Sequence, residues 1–199
     1  DWLYADLNVS SRAAVADAIT NQILDVYAEG IAAAFVHDYF YESLDNFNTA
    51  INSGAIIAAL AVSGDPEAPA RTAQYAADAF ALAIISITRS TAAAFLPDGG
   101  HPEGPTYGAF GLNFLQPTLD ALRTATGSTY GLATPNATGR YLVDLSVTPS
   151  ALYVNWADTA GCAGTNAAQL PSGTETGCTL VEFEYLYVLM NEARKRGAQ

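Results

Sequence analysis

Ala68-Pro-Ala-Arg-Thr-Ala-Gln-Tyr-Ala-Ala-Asp-Ala-Phe-Ala-Leu-Ala-Ile-Ile-Ser-Ile-Thr-Arg-Ser-Thr-Ala-Ala-Ala94 is the stretch on which the fold turns. Its apolar residues recur at helical spacing, and Ala76, Phe80, Ala83, Ile84 and Ile87 are expected to form one buried face. Alanine dominates the remainder, and alanine is the best helix former while adding almost no bulk, so neighbouring helices can approach closely. On the N-terminal side Gly64-Asp65-Pro66 closes a second helical stretch, Thr49–Val62, in which Ala50, Gly54, Ala58 and Ala59 again leave room for a partner. On the C-terminal side Pro97-Asp98-Gly99-Gly100 is a loop, after which a helix is predicted from Thr106 or Tyr107 to Thr126, adjusted at Pro117. An earlier helix starts at Ser10 or Ser11 and runs from Arg12 to Tyr27, with Gly30 as a break or Ile31–Val36 continuing as a second short helix.

The rest of the chain is less periodic. His37 to Asn48 mixes aromatic and polar residues and reads as an irregular connection. After Gly127 the texture changes: Tyr141–Val147 suits a short helix or a strand, Ala151–Trp156 looks extended, 157–177 is loop, and Leu180–Arg196 is a final helix. Its terminal Arg194-Lys195-Arg196 suits the negative end of a helix dipole. Helices joined by loops, without runs of alternating strands, predict an all-α fold, and no linker divides residues 1–199 into two domains.

Half of the 199 residues are hydrophobic, enough for a sizeable core. Acidic residues outnumber basic ones 20 to 8, for a net charge of -12. The basic residues Arg12, Arg71, Arg89, Arg123 and Arg140 are spread out, which argues against nucleic acid and also against tight binding of any polyanion. No membrane span is expected, with the Ala-rich residues 76–87 coming nearest to one.

Cys162 and Cys178 enclose a segment rich in Gly, Thr, Ser and Pro, at a spacing that fits neither a zinc site nor a redox pair. A disulfide is the favoured reading; closing such a loop contributes about 3 kcal/mol in the chain-entropy model and implies an oxidising compartment. Two sequons agree with it, Asn8-Val9-Ser10 and Asn136-Ala137-Thr138, although Asn8 also reads as a helix-start signal. A secreted or cell-surface protein is therefore expected. A chain opening at Asp1 implies that any secretory leader has been removed or lies outside these residues.

Three stretches carry a resemblance. Asp45-Asn46-Phe47-Asn48, followed by Ala50-Ile51-Asn52-Ser53-Gly54, is similar to the Asn-Trp-Asn segment and Asn-x-Gly helix of heparinase II/III-like polysaccharide lyases. Pro97-Asp98-Gly99-Gly100-His101-Pro102-Glu103-Gly104-Pro105-Thr106-Tyr107-Gly108 resembles that family's Asp-Gly-x-x-x-Glu-Gly-x-x-Tyr segment and is the more specific match. Asn155-Trp156-Ala157-Asp158 resembles a short aromatic-x-Asp motif that follows the helices. The match covers roughly residues 5 to 160. It implies an incomplete α/α toroid, with a loop-rich, disulfide-stapled C-terminal part beyond it, and β-elimination on a uronate-containing glycan.

The chemistry needs a group that neutralises the uronate carboxylate, a base for the C5 proton and an acid for the leaving oxygen. The resemblance assigns Asn46 to the carboxylate, through its amide, and Tyr107 to the proton. A phenol ionises at about pH 10, so such a base needs a cationic or hydrogen-bonding neighbour. Glu103 can orient groups around it and His101 can act as acid or bind substrate. Tyr41, Asn48 and Trp156 are the candidate sugar contacts. Each has a plainer alternative: Asn46 as a helix cap, Tyr107 as a packed helix-start residue, Glu103 as a charge on a helix N-terminus, His101 as surface, and the aromatics as core. No cofactor or metal is called for.

The sequence also departs from the family. Phe47 stands where some of these lyases carry histidine, and the usual C-terminal β-sandwich and N-terminal toroid helices are absent from these 199 residues. A non-catalytic surface protein that binds glycan or assembles with copies of itself, even into filaments, is the other expectation.

Overall fold

A computed structural model describes residues 4–32, 41–95, 97–132, 135, 137–138, 140–141, 146–147 and 152–153. Among these residues the structure is predominantly helical, as the periodicity predicts. A 3-10 turn, Tyr4–Asp6, leads into α1 (Val9–Ile19), a π turn (Thr20–Leu24) and α2 (Asp25–Ala32); then come α3 (Asn46–Val62), α4 (Thr72–Ala94) and α5 (Gly104–Thr126). Among the described residues the strands are limited to Ser146–Val147 and Leu152–Tyr153, paired antiparallel with Ser146 opposite Tyr153. By internal packing the chain divides into two compact units, Asp1–Thr91 with Phe114–Ala133, and Ala92–Asn113 with Thr134–Gln199.

Helix starts follow local chemistry. Asn8 caps α1: its side-chain oxygen accepts the Ser11 amide at 2.9 Å, so the helix begins before the expected Ser10 or Ser11. Arg12 then folds back over the turn before it, donating to the carbonyls of Tyr4 (3.1 Å) and Leu7 (3.0 Å) with its guanidinium 4.4 Å from the Tyr4 ring centre. Gly30 does not break the helix, which continues to Ala32. Asp45 caps α3 through a 3.1 Å bond from the Asn48 amide, so Asn46 is the first helical residue and not the cap. Pro69 shortens α4 relative to the expected Ala68 start, because the Thr72 amide closes a turn onto the Pro69 carbonyl at 2.9 Å.

The first unit is held by small and polar contacts. Ala55, Ala58, Ala59 and Val62 of α3, and Ala76, Ala79, Ala83 and Ile87 of α4, are buried. The expected buried face of α4 is thus displaced: Ala76, Ala83 and Ile87 are inside as predicted, but Phe80 and Ile84 are only half-buried, while Ser86 and Ser90 are fully enclosed. The half-buried Phe80 ring meets Tyr130 edge-on at 5.3 Å. Among the described residues α4 is the one helix long and apolar enough to cross a membrane, and 39% of its most apolar window is buried inside the protein. On α5, Leu115, Leu119 and Leu122 recur at helical spacing and are wholly buried. Pro117 lies on the exposed side of that helix, and the buried Thr118 beside it bonds the Phe114 carbonyl through its hydroxyl at 2.8 Å.

Candidate functional site

The segment that carries the more specific resemblance lies in the second unit and is shaped by its glycines. Asp98 accepts the Gly100 amide at 3.0 Å, bending the chain at Gly99, whose φ is 89°. A side chain there would need a left-handed backbone conformation and would also overlap the backbone of Ala137 at 2.3 Å, so the position admits only glycine. A second turn follows at once, where the Gly104 amide bonds the His101 carbonyl at 2.9 Å with Gly104 at φ 87°.

Between these turns His101 points inward. It is 2% exposed, its ring centre lies 5.0 Å from that of Phe95, and Gly108 on the first turns of α5 passes so close that an added Cβ would sit 2.9 Å from the His101 Cβ. The Glu103 amide donates to Nδ1 at 3.3 Å, which leaves the proton of the neutral ring on Nε2. The Glu103 carboxylate lies 4.0 Å from the same Nδ1 and is partly exposed. His101 is therefore an enclosed residue, not the surface residue that its Gly/Pro surroundings suggest. Tyr107, in the first turn of α5, is half-buried, and its hydroxyl makes no hydrogen bond among the described residues.

Asn46 and Asn48 belong to the first unit. Asn46 is 2% exposed. Asn48 is fully buried, and its amide donates to the Tyr41 carbonyl at 3.1 Å and to Ser86 Oγ at 2.9 Å. Ser86 in turn donates to the same Tyr41 carbonyl at 2.7 Å, and Arg89 also reaches it while lying 5.7 Å above the Tyr41 ring and pairing with Glu42. Tyr41 is half-buried. Phe47, in the position where some lyases carry histidine, is 45% exposed, so that position faces outward at the start of α3.

These bonds belong to a polar ladder that the sequence reading passed over. Tyr27 donates its hydroxyl to Asn52 Oδ1 at 2.6 Å, the Asn52 amide reaches Ser86 Oγ at 3.2 Å, and Asn48 joins from one turn earlier. Burial pushes the Tyr27 phenol strongly up, with the nearby Tyr41 adding to the effect. A legible signal existed: Asn48, Asn52 and Ser53 are polar residues on the inner side of an otherwise apolar helix. The Asn48 and Asn52 amides are bonded where they are buried, and so they mark a specified contact.

Among the described residues no three His, Cys, Asp or Glu side chains converge as they would around a metal. Asn8 is exposed at the head of α1. Asn136, Trp156, Cys162 and Cys178, with the expected 180–196 helix, lie outside the described residues. No family model, curated protein or solved structure matches this chain.

Proposed function

We propose that this chain is the helical portion of a secreted or cell-surface polysaccharide lyase-like protein, a partial α/α toroid that acts by β-elimination on a uronate-containing glycan. The observation that carries the reading is the placement of Tyr107. It is half-exposed, unbonded through its hydroxyl among the described residues, and set at the head of a helix by a loop in which Gly99 and Gly104 take left-handed backbone conformations. A phenol so placed is available to a ligand. In the reaction Tyr107 takes the C5 proton and returns a proton to the leaving oxygen, with a hydroxyl of the bound sugar as the hydrogen-bonding neighbour that such a base needs. Glu103 and His101 act through the loop by fixing where Tyr107 stands. Asn48 is committed to the protein interior.

Tyr107→Phe in the full-length protein is expected to lower lyase activity by about 10² to 10⁴-fold while leaving helical content unchanged. The readout is the absorbance of unsaturated uronate with a panel of polyuronates. A folded full-length protein that cleaves none of the panel removes the reading.

A second reading has its own observation. Val15, Ile23 and Val26 are 48%, 42% and 57% exposed and recur at helical spacing along α1 and α2. Arg12, Arg71, Arg89 and Arg123 are each engaged by described partners, so none is held ready for an anionic chain. Both features favour a non-catalytic protein that associates with copies of itself or with a neutral glycan. Sedimentation at rising concentration tests it: a protein that stays monomeric at high concentration does not assemble.

A further inference from the structure

The sequon at the head of α1 has a geometry that can be set beside the chemistry of glycosylation. Asn8 is exposed, as is Ser10, and the backbone there is extended, with φ -72° and ψ 163°. The Asn8 side-chain oxygen is doubly used: it accepts the Ser11 amide at 2.9 Å and the Ser10 hydroxyl at 2.7 Å. The side-chain nitrogen makes no hydrogen bond among the described residues. The turn before it is fixed by Arg12 and by the Tyr4 hydroxyl, which donates to Asp65 at 2.9 Å. The capping function of Asn8 thus rests on Oδ1 alone, while Nδ2 stands at the surface.

A carboxamide that is glycosylated keeps its carbonyl oxygen and one N–H. A glycan on Nδ2 would leave both Oδ1 bonds intact, so cap and glycan can coexist on one side chain. Val9 occupies the middle position of the sequon, where only proline would forbid transfer, and it is 60% exposed.

We propose that Asn8 is an N-glycan acceptor in this protein, an inference that rests on the secreted or cell-surface placement proposed above and not on the lyase activity. The donor is a lipid-linked oligosaccharide diphosphate. Asn8 Nδ2 attacks its anomeric carbon, the carbon–nitrogen bond forms as the bond from that carbon to the diphosphate oxygen breaks, the amide proton passes to a carboxylate of the transferase, and the lipid diphosphate leaves.

The test is secretion of the full chain from a eukaryotic host with an extra acceptor sequon appended at its C-terminus. The glycan is then released by peptide N-glycanase in heavy-oxygen water and the peptides are read by mass spectrometry. The Asn8 peptide is expected to carry the heavy-oxygen label. Asn8→Asp, which keeps the capping oxygen and lacks the acceptor nitrogen, should lose one glycan without loss of helical content. Ser10→Ala should lose the same glycan, and Ser10→Thr should retain it. An unlabelled Asn8 peptide from molecules whose appended sequon is occupied overturns the proposal, and so does full retention of the glycan in Asn8→Asp.

Discussion

Two parts of the first unit bury their residues by opposite means. Along α5, Leu115, Leu119 and Leu122 are wholly enclosed and apolar. Where α3 meets α4, the enclosed residues include Asn48, Asn52, Ser53, Ser86 and Ser90. Leucine burial is non-directional: it contributes in proportion to area and tolerates small slips of one helix along another. The asparagine–serine ladder contributes less net free energy but is directional. A shift of one turn would separate Tyr27 from Asn52 and both asparagines from Ser86, leaving buried donors and acceptors without partners. The leucines hold the unit together, and the ladder fixes where α3 lies along α4.

The largest effect expected from breaking this contrast is Leu119→Ala, which should destabilise the protein by about 3 kcal/mol in chemical denaturation through lost transfer energy and a residual cavity. Asn52→Ala should cost less, about 2 kcal/mol, because it strands the Tyr27 hydroxyl. A cycle with Tyr27→Phe should then return a coupling of about 1 kcal/mol; a coupling near zero would reduce the ladder to packing.

Alkali sharpens the comparison further. Burial raises the Tyr27 phenol above its ordinary value, so the folded state favours the protonated form. That preference contributes fully below about pH 10, where the unfolded chain's phenol is also protonated, and is lost as pH rises toward the folded value. Stability should therefore decline above about pH 10, and Tyr27→Phe should flatten the decline while Leu119→Ala leaves its slope unchanged.

The smallest effect is a gain. Gly54 lies in the middle of α3 on its exposed side, and an added Cβ would meet nothing within 4 Å. Gly54→Ala should stabilise the protein by about 0.5–1 kcal/mol. A loss instead would mean that the residue serves an approach by something outside this chain.

The existence of α3, α4 and α5 was legible from apolar spacing alone, and so was the glycine-rich turn between the last two. The inner face of α4 was not. Hydrophobic period points to Phe80 and Ile84, but what faces inward there is also set by Asn48 and Asn52, which need Ser86 opposite them. The cap of α3 was ambiguous because Asp45 and Asn46 are equally good caps by residue type; only backbone geometry separates them. Among the candidate site residues, chemistry could be read from residue type, but burial could not. His101 sits in a Gly/Pro loop that suggests surface, yet Phe95 beside it and the missing side chain of Gly108 make room for an enclosed ring. Such a contact depends on two segments meeting, and no local composition announces it.

The π turn in the first helical stretch has a consequence for chain length. The Asp25 amide reaches back to the Thr20 carbonyl, five residues away, so the helix carries one residue more than an α-helical path requires. That extra residue works like a spacer in a ratchet. Removing one residue from the π turn would restore a plain helix and leave the residues after it facing as they do now. Removing one from α2 ahead of Tyr27 would instead turn that phenol by about 100°, off Asn52. The first helical stretch can therefore change length at the π turn without disturbing the bonds at its far end.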